Sequence, residues 1–98
     1  MKPHSVVVVN LHTPREKFWG ELLEITPAGI TLRGIDLNAF DEWLNQVRRN
    51  SAVGMTTVFF PLCRVERVEL DEPSGEVPSL SETFHQRTGR SFAEYLNR

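Results

Sequence analysis

The residues of this chain that could do chemistry are few and scattered. Cys63 is the one cysteine, and a thiol becomes a nucleophile only when a neighbouring base or positive charge holds it as thiolate. No such motif surrounds it, so Cys63 is expected to be a small packed core residue. His4, His12 and His85 each lack a second ligand at helical or hairpin spacing, which argues against a metal centre. Paired carboxylates and a phosphate-binding loop are also missing from the sequence. The pattern predicts no catalytic, metal or cofactor-binding residues, and a protein that acts by binding.

Two side-chain sets could do that binding. Arg33, Arg48, Arg49 and Arg64 are the candidate RNA contacts, because affinity for nucleic acid rests first on neutralised phosphates. Against this, Glu66, Glu69, Asp71 and Glu72 balance the arginines, and the net charge is −2, so no general attraction to a polyanion follows. Phe40, Trp43, Val58 and Phe60 are the candidate interaction residues. The bland reading of the same aromatics is core packing, which the helical spacing of Phe40 and Trp43 favours.

The elements that must position these residues are legible from periodicity. Val6 to Leu11 is a continuous β-branched run with strand character on both faces. From Lys17 to Thr26 the apolar residues do not hold a two-residue alternation, which predicts a bent strand with its kink or bulge at Gly20. Thr26-Pro27-Ala28-Gly29 is turn chemistry, with Gly29 free to take positive φ, and Ile30 to Arg33 then alternates cleanly as the second arm of a hairpin. Phe40, Trp43, Leu44 and Val47 share one helix face, predicting a helix over 37–50 with Asn38 and Asp41 in a capping arrangement. Asn50 to Gly54 reads as its exit loop. Met55 to Phe60 and Val65 to Leu70 are strand-like, with Pro61 to Arg64 as a short reversal between them. Ser79-x-x-Glu82 and Ser91-x-x-Glu94 are two capping boxes, with Gly89 between them at a helix C-terminus.

A chain of 98 residues at 40% hydrophobic content fits one domain. The run Val6-Val7-Val8-Val9 is too short for a signal-peptide core, and no stretch is long enough to span a bilayer. With a lone cysteine, a cytoplasmic location is expected.

Val8-x-Asn10-Leu11, Gly20-Glu21-Leu22 with Gly29-Ile30-Thr31-Leu32, and Phe60-Pro61-Leu62-Cys63-Arg64-Val65 running into Val68-Glu69-Leu70 together resemble the Sm-like fold of Sm and LSm proteins and the bacterial RNA chaperone Hfq. The resemblance is one of pattern over roughly residues 5 to 72, without the helix. It implies a mainly β fold: a strongly bent, five-stranded antiparallel barrel over 1–72 including the inserted helix, with a helical extension over 73–98 packed on the same domain. The family's RNA-reading residues, an Asp and Asn in the first hairpin turn and an Arg-Gly or Lys-His pair in the second segment, are replaced here by Thr26-Pro27-Ala28-Gly29 and Phe60-Pro61-Leu62-Cys63-Arg64. The expected function is therefore a non-enzymatic oligomerisation or protein-interaction module, homo-oligomeric through strand edges or helices. The alternative is an RNA-binding protein that uses arginines instead.

Overall fold

The computed structural model describes residues 1–51 and 53–97; Ala52, in the expected exit loop, and Arg98 lie outside them. The chain forms two compact units, one of Met1–Ala39 with Gly54–Leu70, the other of Phe40–Val53 with the segment from Asp71 onward.

The first unit is an antiparallel sheet of β1 (Val6–Leu11), β2 (Glu16–Thr26), β3 (Gly29–Asp36), β4 (Thr56–Pro61) and β5 (Val65–Leu70). The strand order is β4-β3-β2-β1-β5. One face gathers Val7, Val9, Leu11, Leu22, Ile30, Leu32 and Phe60 into a single cluster, with Phe18, Val58, Val65 and Val68 against it, so all five strands feed one core. Burial of that aliphatic area is the main drive for the sheet to curl.

The curl can be read from hydrogen bonds. A 3-10 turn, Leu62–Arg64, joins β4 to β5, the two strands at opposite ends of the order. Leu62 N–H donates to the Ala28 carbonyl at 2.9 Å, past the end of β2, while Arg64 Nη2 donates to Glu16 Oε1 at 2.8 Å, at the start of β2. An 11-residue strand laid straight would span about 35 Å at about 3.3 Å per residue. Both its ends meet one three-residue turn, so β2 must bend back sharply.

The bend is not made where a single kink at Gly20 would put it. The bulge falls between Leu22 and Glu24, where the β2–β3 register shifts. Gly20 serves a different purpose: it faces Gly34, and a Cβ on Gly20 would lie 2.2 Å from the Arg33 carbonyl oxygen and 2.5 Å from Gly34 Cα. Two backbones cross at a separation that only glycine allows. Gly29 likewise is needed for close approach, with its would-be Cβ 2.2 Å from the Phe60 carbonyl oxygen, and its φ is not positive. Thr26 Oγ1 closes that turn by accepting from the N–H groups of Ala28 and Gly29.

The expected barrel is thus met as a curled five-stranded sheet and corrected in one respect. It does not close, because among the described residues β4 and β5 each pair with one neighbour only.

The second unit holds α1 (Phe40–Arg48), α2 (Leu80–Thr88) and α3 (Phe92–Leu96). Helix α1 is shorter than the predicted 37–50 span: Leu37–Ala39 forms a 3-10 turn, and the capping group is the Asp36 carboxylate, which accepts from Asn38 N–H at 2.8 Å. By compactness α1 belongs with the C-terminal helices rather than with the strands that flank it in sequence. The reason is aromatic: the Trp43 ring meets Phe84 at 5.6 Å and Tyr95 edge-on at 5.5 Å, and Phe84 also meets Phe92 at 5.2 Å.

The ends of α2 are fully provided for. Ser79 and Glu82 form the reciprocal capping box, and Gly89 ends the helix at φ 75° with its N–H on the His85 carbonyl. Asp71 adds a cap from upstream, accepting from Leu80 N, Ser81 N and Ser81 Oγ at 2.7, 2.8 and 2.7 Å. In α3 only half of the expected box forms: Ser91 accepts from Glu94 N–H.

Candidate interaction surface

The four apolar candidates from the sequence are not exposed. Phe60 is buried in the sheet core, ring to ring with Phe18 at 4.9 Å, and Val58 is half-buried against the same cluster. Phe40 and Trp43 are buried, Trp43 within the aromatic cluster of the helical unit. Helix α1 spends its apolar face internally.

The exposed apolar side chains are different ones. On the sheet unit Ile25, Phe59, Leu62 and Leu70 are each about half exposed, at 50, 52, 48 and 47%. Phe59 and Phe60 are adjacent in β4 and must face opposite ways. Register decides which goes in: Phe60 pairs with core Ile30, and Phe59 with Thr31 on the other face. The Phe59 ring folds over the β2–β3 turn, where its Cζ would meet a Gly29 Cβ at 2.7 Å. Leu62 is anchored to the same turn through Ala28. Phe59 and Leu62 therefore meet at the β2–β3 turn, Ile25 lies by register on the other face, across from Ile30, and Leu70 stands at the end of β5.

Both strands also carry one unpaired edge. Neither has a second hydrogen-bonded strand among the described residues, so each presents backbone donors and acceptors to a further strand. The two edges differ in chemistry. Along β4 the residues Thr56 to Pro61 are uncharged, whereas β5 carries Glu66, Arg67 and Glu69.

On β5 the charges are internally matched. Arg67 donates from Nη1 to Glu66 at 3.0 Å and from Nε to Glu69 at 3.1 Å, and the buried Asn10 donates its amide to Glu69 at 2.8 Å. The Arg67 hydrogen bond first, and the Asn10 one second, hold the Glu69 carboxyl below the usual carboxylate range.

The arginine candidates are not brought together. Arg64 is committed to the β1–β2 connection, donating to Glu16 and to the Pro14 carbonyl at 2.9 Å. Arg33 sits half-buried in β3, in register with Glu21. Arg48 and Arg49 alone are exposed side by side at the end of α1. Arg87 instead braces its own unit, reaching Asp41 and Asn45, each at 3.3 Å, and Arg90 bonds Asn50.

Cys63, expected in the core, is exposed on the 3-10 turn between β4 and β5, which is too short to turn all of its side chains inward. The histidines have separate partners: His4 Nδ1 lies 2.7 Å from Glu21, His12 beside Thr13, and His85 on the Arg90 carbonyl. Among the described residues no three His, Cys, Asp or Glu side chains are grouped as metal ligands, and no helix is long and apolar enough to cross a membrane.

Leu62 and Leu70 escaped the sequence reading, and Phe59 was not told apart from Phe60 among the aromatics that could stack or pack, because residue type says how apolar a side chain is and not which face it takes. The signal that could have found Phe59 is the pairing of an aromatic doublet with the alternating Ile30-Thr31-Leu32 arm. No family model, curated protein or solved structure matches the chain.

Proposed function

We propose that the sheet unit is a non-enzymatic self-association module of Sm-like type, in which β4 of one copy pairs with β5 of the next. One observation carries this reading: both terminal strands of a curled sheet keep an open backbone edge, and half-exposed apolar side chains lie beside them. The strand order, the bent β2 and the three-residue link from β4 to β5 support the kinship.

An added strand gains main-chain hydrogen bonds and covers Phe59, Leu62 and Leu70. The difference in chemistry between the edges favours unlike pairing, since β4 brings no charge to oppose Glu66, Arg67 and Glu69. A head-to-tail contact of this kind closes into a ring when its rotation closes.

Hydrogen exchange at rising protein concentration tests it. Amides of Thr56–Pro61 and Val65–Leu70 are expected to gain protection together as the protein is concentrated. Protection that stays constant, or that rises in the helices instead, contradicts the reading.

The RNA-binding alternative draws its support from Arg48 and Arg49, exposed and adjacent. Its signature is RNA affinity with a salt slope that falls by about two when both become alanine.

A further inference from the structure

Strand β2 outruns β3. Its pairing with β1 begins at Glu16, opposite Leu11, whereas its pairing with β3 begins only at Phe18, opposite Asp36. The two unmatched residues leave a notch in the sheet of about 190 Å³, lined by Arg15, Glu16, Lys17, Asp36, Leu37 and Asn38. Ligand pockets for drug-sized molecules run from about 300 to 1,000 Å³. This one takes only a small polar molecule.

The charges around it are unequally engaged. Glu16 is neutralised by Arg64 at 2.8 Å. Asp36 places Oδ1 on the Asn38 N–H at 2.8 Å, which leaves its other oxygen to accept elsewhere. Arg15 and Lys17 are exposed and form no salt bridge with the described residues, although Lys17 stands near enough to Glu69 to add to Arg67 and Asn10 in lowering its carboxyl. Two cations, neither held in a salt bridge, therefore share a concavity with the second Asp36 oxygen, the Arg64-paired Glu16 carboxylate and the side-chain amide of Asn38. A guanidinium and an ammonium together suit a phosphoryl group, the first through its fork of donors and the second as a point charge. A free carboxylate oxygen repels a bare anion but accepts from a hydroxyl, so Asp36 selects for an anion that carries hydroxyl groups.

We infer that this notch is a binding site for a small phosphorylated polyhydroxy compound, of the sugar-phosphate class, with Arg15 and Lys17 on the phosphoryl group and Asp36 and Asn38 on the hydroxyls. The site is separate from the β4 and β5 edges and does not depend on their pairing.

The test is an amide-resolved NMR titration of the full chain with ribose 5-phosphate, inorganic phosphate and unphosphorylated ribose. Saturable shifts confined to residues 15–17 and 36–38 are expected with ribose 5-phosphate, with weaker ones for inorganic phosphate and none for ribose. Replacing both cations, Arg15→Gln with Lys17→Gln, should weaken ribose 5-phosphate on the order of tenfold or more. Asp36→Asn, which keeps an acceptor for Asn38 N–H, should lower ribose 5-phosphate to the level of inorganic phosphate. Lys17→Gln alone answers the question if the double variant loses its dispersed spectrum. The assignment is overturned by shifts that do not saturate, by unchanged affinity in the cation variants, or by equal binding of the two phosphates to the unaltered protein.

Discussion

The helical unit and the sheet unit solve the same problem to different degrees. Around α2 the free backbone groups have partners: Ser79, Glu82 and Asp71 at its start, Gly89 at its end. Its aromatic residues, Trp43, Phe84, Phe92 and Tyr95, are all buried. The sheet unit buries an equally continuous core, yet it keeps two backbone edges open and leaves Phe59, Leu62 and Leu70 half exposed. Soluble proteins usually blunt such edges with charge, proline or a cover. Pro61 does so at one end of β4, but most of that strand is uncharged and open. Among the described residues the open backbone edges thus lie on the sheet, although the helical unit also leaves Val77 exposed.

The largest single effect should come from the helical unit, whose packing rests on a few large rings. Phe84 is fully buried and meets Trp43, Phe92 and Tyr95. Phe84→Ala should cost about 3–5 kcal/mol by urea denaturation. A loss below about 1 kcal/mol would mean that the ring cluster is not what holds the helices.

Next is the crossing of β2 and β3. Gly34→Ala places a Cβ 2.2 Å from the Trp19 carbonyl oxygen, and backbone cannot step aside as a side chain can. The expected loss is about 1–3 kcal/mol. A neutral result in thermal denaturation would show that the strands do not cross so closely, and the bend of β2 would need another cause.

Much of this contrast was legible in the residues. Alternation and β-branching marked the strands, the Phe40, Trp43, Leu44, Val47 spacing marked a helix, and the Ser79 box with Gly89 marked both ends of α2. These are local patterns, decided within a few residues. What was not legible depends on partners distant in sequence. The bulge at Leu23 is set by β3, the inward choice of Phe60 over Phe59 by Ile30, and the association of α1 with α2 by the ring of Phe84. Cys63 shows the limit of type statistics, because an usually buried residue lands on a turn too short to hide it. The notch beside Arg15 and Lys17 exists only because two strands differ in length, which no motif announces.

Ser79→Ala removes one cap of α2 and should lower stability by about 1 kcal/mol, measured by urea denaturation. The effect is bounded because Asp71 still caps Leu80 and Ser81.

The smallest effect is a pH dependence on the sheet. Glu69 is held below the usual carboxylate range by Arg67 and then Asn10, so its contribution is present above that range and is lost as pH falls through the lowered value. Glu69→Gln should therefore flatten the stability profile below about pH 4 and leave its shape near neutrality unchanged. Identical acid limbs for the two proteins would show that the Arg67 and Asn10 bonds do not bind the carboxylate preferentially.

The most direct measurement is multi-angle light scattering of the full chain over a range of concentrations, compared with Phe59→Lys and Leu70→Lys made together. Both side chains are about half exposed, so the fold should tolerate the change. A mass above that of the 11.2 kDa chain, reduced to the monomer by the paired substitutions, is the predicted result. A monomer at every concentration, or an oligomer that the substitutions leave intact, would contradict association through the edges of β4 and β5.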